Sequence, residues 1–384
     1  MAVDQSWYEG REQAFVKHSF LDRYLGRLFN KIASTRDAIC YIDGFAGPWK
    51  SGSERFDDTS FGIALNQLRG AKAQARRPVR AIAHLVEKDP GAFAELEKVV
   101  ERYPELEITP HLGDFHDALP RILAGVPKDA FAFSLLDPKG WLIDLKRIQP
   151  LLARPNSEVV INLMYDFINR FIEHPSKGIA DSLDRTLPGP NWRDAVRSAP
   201  ADVPAAREAI IIGTFADSLK EIGGYRYAPS LRVRRPGHER TLYHLVYGTR
   251  SPAGLAVFRE SQFKALEDEA RVQSGLKRGK REEKTGMGGL LTADMEAALD
   301  PAAQFLDRER TGARSTLLEL LHGAPGGLCW QDLWPVVLER FAVTPSVLGR
   351  EVNAFRKEGR VEVPEWPSEQ KQIPENHYLI RLRS

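Results

Sequence analysis

The stretch ICYIDGFAGPWKSG, residues 39–52, decides how the chain is read. An apolar run ends abruptly in an acidic residue, two closely spaced glycines and a proline. Alone, it is either a tight strand-to-helix turn or a loop against which a ligand lies. Upstream, roughly residues 7–34 read as helix, because Phe20, Leu21, Tyr24, Leu25, Leu28 and Ile32 recur at helical spacing on one face. Downstream, short apolar runs at 38–42, 81–86, 131–136 and 158–163, with a weaker one at 106–109, alternate with helical patterns. Those patterns lie at about 60–69, 90–102, 115–124, 144–153 and 166–173. Runs apolar throughout, with helices between, are what a parallel sheet covered on both faces produces. The crossover rule then predicts a doubly wound, Rossmann-like α/β domain.

Beyond the fifth run the pattern changes. Residues 175–205 are rich in Pro, Gly and Asp and read as an irregular insertion, followed by a helix at about 206–222. YRYAPSLRVRR and ERTLYHLVYG then flank Pro236-Gly237, predicting a terminal antiparallel hairpin on a mostly parallel sheet. The stretch SGLKRGKREEKTGMGG, 274–289, is charged and glycine-rich and reads as a linker. From Arg314, helices at 314–322, 330–341 and over PSVLGREVNAFRKEGRV precede two strand-like runs, a winged-helix outline. The expected organisation is a domain over 1–273, a linker and connecting helix over 274–310, and a winged-helix-like domain over 311–384.

Composition bounds the function. With 42% apolar and 28% charged residues in 384, the chain reads as an ordinary globular protein. No apolar run approaches the ~20 residues needed to span a bilayer, and the first residues lack a signal peptide's apolar core. Cys40 and Cys329 are the only cysteines, which excludes a disulfide framework or cysteine-rich zinc site and fits a reducing cytoplasm. No His/Asp/Glu cluster at ligand spacing suggests a metal. The net charge of +2 is unevenly spread: Arg226 to Arg281 holds 13 Lys/Arg against 5 Asp/Glu. Such a zone either neutralises phosphates or is a solvated basic face. Residues 311–384 hold nine of each sign, a poor electrostatic match to DNA, so protein docking or dimerisation suits that tail as well.

Chemistry concentrates where apolar runs end, the edge at which open parallel sheets bind ligands. Asp43, Gly44 and Gly47 lie just past the first run, and glycine lets a cofactor approach the backbone closely. The pattern is Gly-x-x-Gly-Pro, and Pro48 removes a backbone donor, so a dinucleotide pyrophosphate is disfavoured; a sulfonium or adenosine-type ligand needs no such cradle. Glu87, in HLVEKD, is placed to accept from ribose hydroxyls, while Asp89-Pro90 is the better start for the next helix. Asp114, in LGDFHDAL, caps a helix, accepts from an adenine amine, or does both; His116 reads equally as an exposed helix residue. LLDPKGW sets the Asp137 carboxylate, the rigid Pro138 and the Trp141 ring at the fourth end. VVINLMYDFINRF crowds Asn162, Tyr165, Asp166, Asn169 and Arg170 after a buried strand, which is costly unless they are paired or face a pocket. Asp166 and Arg170, at i and i+4, also suit a helix ion pair.

Together, DGFAGPW, VEKD, LLDPKGW and INLMYDFINRF resemble the three-Cys-motif partner family. These bacterial proteins have a class I S-adenosylmethionine methyltransferase-like fold with a winged-helix-like tail. The resemblance covers about residues 10–270, and Lys17 and His18 also fit its opening. It implies S-adenosylmethionine as cofactor, with Asp43, Gly44, Phe45, Ala46 and Gly47 along the methionine part, Glu87 at the ribose and Asp114 at the adenine. Asp137, Pro138 and Trp141 would lie at the reacting end, with Asp166 a further catalytic candidate. Lys139 stands where the amino-methyltransferase loop has a second proline, which leaves the substrate open. The implied chemistry is in-line attack on an activated methyl, and the implied partner is a separate protein carrying the three-cysteine motif. Nucleic acid remains a second expected partner. The alternatives are a fold that binds cofactor or partner without catalysis, and a nucleic-acid-binding module.

Overall fold

Every residue of the strand Ala38–Asp43 (β1) is buried, because helices cover both faces of the sheet at its centre. In the computed structural model, which describes residues 5–8, 10–47, 51, 56–138, 140, 143–200, 203–236, 238, 240–285, 301–366 and 373–383, β1 is flanked by parallel strands. On one side lie Arg80–Glu87 (β2) and Glu107–Leu112 (β3); on the other, Phe131–Leu136 (β4) and Ser157–Leu163 (β5). Thr241–Gly248 (β7) pairs antiparallel with β5, and Ser230–Arg234 (β6) antiparallel with β7. The order is β3-β2-β1-β4-β5-β7-β6, the mostly parallel sheet with a terminal hairpin that the sequence predicts. Its direction of winding reverses between β1 and β4, the position at which open α/β sheets take ligands.

Strand alternation sorts the core into two layers. Cys40, Ile42, Ala132, Leu136, Val159 and Ile161 form one cluster with the helices Phe115–Gly125 (α4), Gln149–Leu152 (α5) and Pro204–Gly223 (α9). Tyr41 and Phe133 point the other way and stack at 6.4 Å. Above them lies Glu12–Ala33 (α1), which packs in turn on Ser60–Gln74 (α2). Phe20, Leu21, Tyr24 and Leu25 of α1 are fully buried, each contributing about 1.5–3 kcal/mol over an exposed position. Beneath α1 the buried Glu158 accepts from the Tyr24 hydroxyl at 2.6 Å and the Thr249 hydroxyl at 2.8 Å. Burial pushes this carboxyl's pKa up, and the hydroxyls oppose the shift.

Two elements between the fourth strand and the hairpin differ from expectation. The insertion over 175–205 contains Lys177–Thr186 (α7) and Trp192–Ser198 (α8). Leu183, Leu187, Trp192 and Val196 join the core from it, and the Trp192 indole donates to Asp184 at 3.2 Å. These helices bury so few apolar residues that Pro, Gly and Asp dominate the local pattern. The helix expected at 144–153 contracts to α5, because the Asp144 carboxylate accepts from the Lys146 and Arg147 amides, both at 3.1 Å, and folds a turn there. Among the described residues, Pro90–Val100 (α3) and Tyr165–Phe171 (α6) are the remaining α-helices of this first unit, Met1–Ser251, which also has a short 3-10 helix at Gln5–Tyr8.

The second unit, Pro252–Ser384, begins with the helix Pro252–Thr285 (α10). The expected boundary after 273 falls inside it, and the expected linker is helical as far as Thr285, the rest lying outside the described residues. Lys, Arg and Glu lose little side-chain freedom in a helix, so a charged run without apolar periodicity still propagates one. Helices Pro301–His322, Trp330–Arg340 and Pro345–Lys357 follow, with a sheet of Leu328–Cys329 (β8), Val361–Glu362 (β9) and Leu379–Leu382 (β10) ordered β8-β10-β9. The short β8 has no counterpart in the sequence reading. Among the described residues, no helix is long and apolar enough to cross a membrane.

Arg259 of α10 fixes this unit from inside. Its guanidinium donates to the carbonyls of Leu338 at 2.6 Å and Glu339 at 2.8 Å, closing the last turn of Trp330–Arg340. Burial lowers its pKa to about 10. Arg259→Ala strands those carbonyls and is expected to cost the second unit about 1–3 kcal/mol. Faster hydrogen exchange over 330–341, with β1–β5 unchanged, is the measurement that checks it.

Candidate functional site

Parallel register assembles the site. Asp43 of β1 faces Leu135 of β4, and Leu136 faces Ile161 of β5. One step further along the same register, Asp137 comes opposite Asn162, and alternation puts Asp43, Asp137 and Asn162 on the face that carries Tyr41 and Phe133. The Asn162 amide accordingly donates to Asp137 Oδ1 at 2.5 Å. On the helix above, Tyr24 packs 5.7 Å from Phe133. Two turns back toward the N-terminus, about 10 Å, α1 presents Lys17 on the same stripe. Phe133 to Asp137 along the strand is about 13 Å, and the lysine stem closes the difference. Lys17 Nζ reaches Asp137 Oδ2 at 2.6 Å, with both side chains largely buried.

The loop after β1 is used up internally. The amides of Gly44, Phe45 and Ala46 donate to Leu135 O at 3.1 Å, Asp43 Oδ1 at 3.0 Å and Val86 O at 2.8 Å. These three donors are therefore spent on the fold, which agrees with the case against a pyrophosphate cradle. Core packing by itself requires a glycine at 44. A Cβ there would meet Leu136 Cδ2 at 2.9 Å and the Phe115 ring at 3.1 Å, so core packing on the opposite face excludes a side chain. Phe45 is half-buried against Phe115, Ala46 is buried, and Gly47 is buried at the end of the described loop. Pro48 lies outside the described residues.

Asp43 is almost sealed, 2% exposed. Burial raises its pKa from 3.8 to about 6; the Phe45 amide and the Tyr41 hydroxyl, 2.8 Å away, pull it down, while the neighbouring Asp137 pushes it up and Lys17 pulls it down. The half-buried Glu87 ends β2 and accepts from the Asp89 amide at 2.7 Å. Asp89 itself caps α3 through the Ala92 amide. Gly113, with φ of 130°, donates to the Glu87 carbonyl at 3.0 Å, so the loop carrying Asp114 closes beside Glu87. Asp114 caps α4 by accepting from the His116 amide at 2.8 Å and also meets its ring nitrogen at 3.1 Å. His116 is no free surface group: its Nε2 accepts from the Asp144 amide, 3.4 Å away. These partners hold the Asp114 carboxyl below its ordinary range, although burial works the other way.

Asp43, Glu87, Asp114 and Asp137 thus stand at the carboxyl ends of four adjacent strands, with the buried Pro138 next to the last. Trp141 and Lys139 lie outside the described residues. Asp166 does not join this set. It is 2% exposed, and its Oδ2 meets Arg170 at 2.9 Å, the helix pair the spacing allows, and Arg235 at 3.0 Å. Arg240 pairs with Oδ1. Sequence reading names Lys17 only by resemblance and misses Tyr41, Arg235 and Arg240. The Arg-rich turn of the predicted hairpin is the signal for the last two. The chain matches no protein-family model and no curated protein.

The buried Asp43 makes a pH prediction. Its folded pKa lies above the unfolded value, so its contribution to stability is full below about pH 4 and is lost as pH rises through about 6. Relative to Asp43→Asn, the native chain should lose up to about 3 kcal/mol across that window, read from denaturant titrations at pH 4, 5, 6 and 7. Separately, Gly44→Ala should cost about 1–3 kcal/mol through overpacking, visible as a lowered melting temperature with no ligand present.

Proposed function

We propose that the first unit is an S-adenosylmethionine-dependent methyltransferase of the three-Cys-motif partner type. The observation that carries this reading lies beside Asp137. Asn162 is 6% exposed, and its amide oxygen, buried next to that carboxylate, has no hydrogen-bond partner among the described residues. A buried acceptor of this kind is costly unless a donor arrives. A carboxylate oxygen offers about two lone-pair sites, so Asp137 can accept further bonds while keeping Lys17 and Asn162. Together these acceptors suit a nucleophile that carries N–H groups, the planar amine an Asp-Pro loop holds.

The four strand-end carboxylates fit the cofactor's chemistry. Asp43 would face its cationic methionine portion, Glu87 its ribose hydroxyls and Asp114 its adenine amine. When bound, it supplies an activated methyl group. The chain's own residues do the rest: Lys17 and Asn162 fix the Asp137 carboxylate in one orientation, Asp137 accepts from the nucleophile, and α1 keeps water from the face. Such positioning with polar groups held ready is the main source of catalysis for a displacement of this kind. The five parallel strands and antiparallel hairpin support the class I methyltransferase-like outline, and the three helices after α10, with the small sheet of the second unit, support a winged-helix module. A separate three-cysteine-motif protein is the partner that goes with this reading, and the two unpaired cysteines favour a cytoplasmic setting.

One observation favours a second reading, a fold that binds without catalysis: both oxygens of Asp137 already hold partners. Calorimetry with S-adenosylmethionine and S-adenosylhomocysteine decides the cofactor, and absence of binding at millimolar ligand sinks it. Asp137→Ala should then abolish methyl transfer while holding cofactor affinity within a few-fold. Unchanged turnover would remove Asp137 from the chemistry, and no turnover by the native chain with its partner present would leave the binding fold.

A further inference from the structure

The Asp166 cluster lies at the same sheet edge as Asp137 but is not needed for the cofactor. Because β7 runs antiparallel to β5, with Leu163 opposite His244, the turn between β6 and β7 comes to the carboxyl end of β5. That turn carries Arg235 and Arg240, and the first turns of α6 carry Asp166 and Arg170. One buried carboxylate thereby holds three guanidinium groups, whose side chains are 51%, 43% and 56% exposed for Arg170, Arg235 and Arg240. A single arginine would neutralise Asp166. Arg170 and Arg240 alone bring roughly ten N–H donors, against about four lone-pair sites on the carboxylate. Among the described residues, the nearby Glu173 and Glu208 have other arginine partners, Arg207 at 3.7 Å and Arg232 at 3.2 Å. From Arg226 to Arg250 the sequence holds six arginines and one acidic residue, Glu239.

Aromatic rings lie beside these cations. Phe167 and Phe171 of α6 are half-buried and parallel, 6.5 Å apart, and the Arg170 guanidinium sits 5.6 Å from the Phe167 ring. Fixed guanidinium groups beside ring faces are what a single-stranded nucleic acid uses, its backbone tracked by charge and its bases stacked on rings. An acidic protein surface would use the charges but not the rings.

We propose that Arg170, Arg235 and Arg240, held by Asp166, together with Phe167 and Phe171, bind a single-stranded nucleic acid and bring a base amine toward Asp137. The delivery to Asp137 rests on the methyltransferase reading; the binding itself does not. The strand α6 follows is β5, whose Asn162 bonds Asp137 directly, so a polymer gripped here passes the end at which the nucleophile is needed.

Fluorescence anisotropy of the full chain with labelled 20-nucleotide single-stranded DNA and RNA tests this. Binding should weaken steeply with salt, with a slope of about −0.7 for each phosphate neutralised. Arg170→Ala and Arg240→Ala should each weaken binding and flatten that slope, and Phe167→Leu should weaken binding roughly 5- to 100-fold with the slope kept. Circular dichroism melts monitor folding; where an alanine variant unfolds, Arg240→Gln and Phe167→Leu carry the test. No binding by the native chain at low salt overturns the proposal, as does binding indifferent to these variants. Displacement by polyglutamate as readily as by oligonucleotide, with Phe167→Leu silent, overturns it in favour of an acidic protein surface. Calorimetry with S-adenosylmethionine on the same samples separates the two readings. Cofactor binding without oligonucleotide binding removes only the docking site, and the reverse removes the methyltransferase reading while the docking site stands.

Discussion

Parallel pairing of β4 with both β1 and β5 is the constraint on which the rest depends. It fixes which side chains share a level and a face, and one face of these strands carries three carboxylates under a single helix. Glu158 lies near the start of β5, Asp43 at the end of β1 and Asp137 just past the end of β4. Each is stabilised differently. Glu158 is surrounded by hydroxyls of Tyr24 and Thr249, Asp137 by a lysine and an amide, and Asp43 by the Phe45 amide and the Tyr41 hydroxyl. Without those partners, placing three carboxylates under one helix would be costly.

The division of labour along that face is informative. At the deep end the polar groups are closed on one another and hold the helix to the sheet. At the carboxyl edge the same layer leaves acceptors with capacity to spare. Closed and open hydrogen bonding are thus graded along one helix–sheet interface, with the aromatic stack of Tyr41 and Phe133 as the boundary between them.

Much of this was legible in the residues. Runs such as AICYI and FAFSLL read as buried strands, and acidic residues mark their carboxyl ends. Register was not legible, because nothing local tells that Asn162 stands opposite Asp137. Nor was the reason for Gly44, which answers to Phe115 and Leu136 from elsewhere in the chain. The Asp166–Arg170 pair was legible as helix spacing, yet the partners that define its environment come from a hairpin some seventy residues on, |i−j| being 69 for Arg235. The helices α7 and α8 were hidden by composition, since each is short, ten and seven residues, and set among prolines and glycines.

The contact between Lys17 and Asp137 joins residues 120 apart in sequence. The helix that completes the site therefore leaves the ribosome well before the strand it covers. At ~5–20 residues per second, α1 waits on the order of 10 s with Phe20, Leu21, Tyr24 and Leu25 lacking their final cover. During synthesis the same residues that later shield the site form a sticky amphipathic surface, and temporary shelter by a chaperone would matter most over this helix.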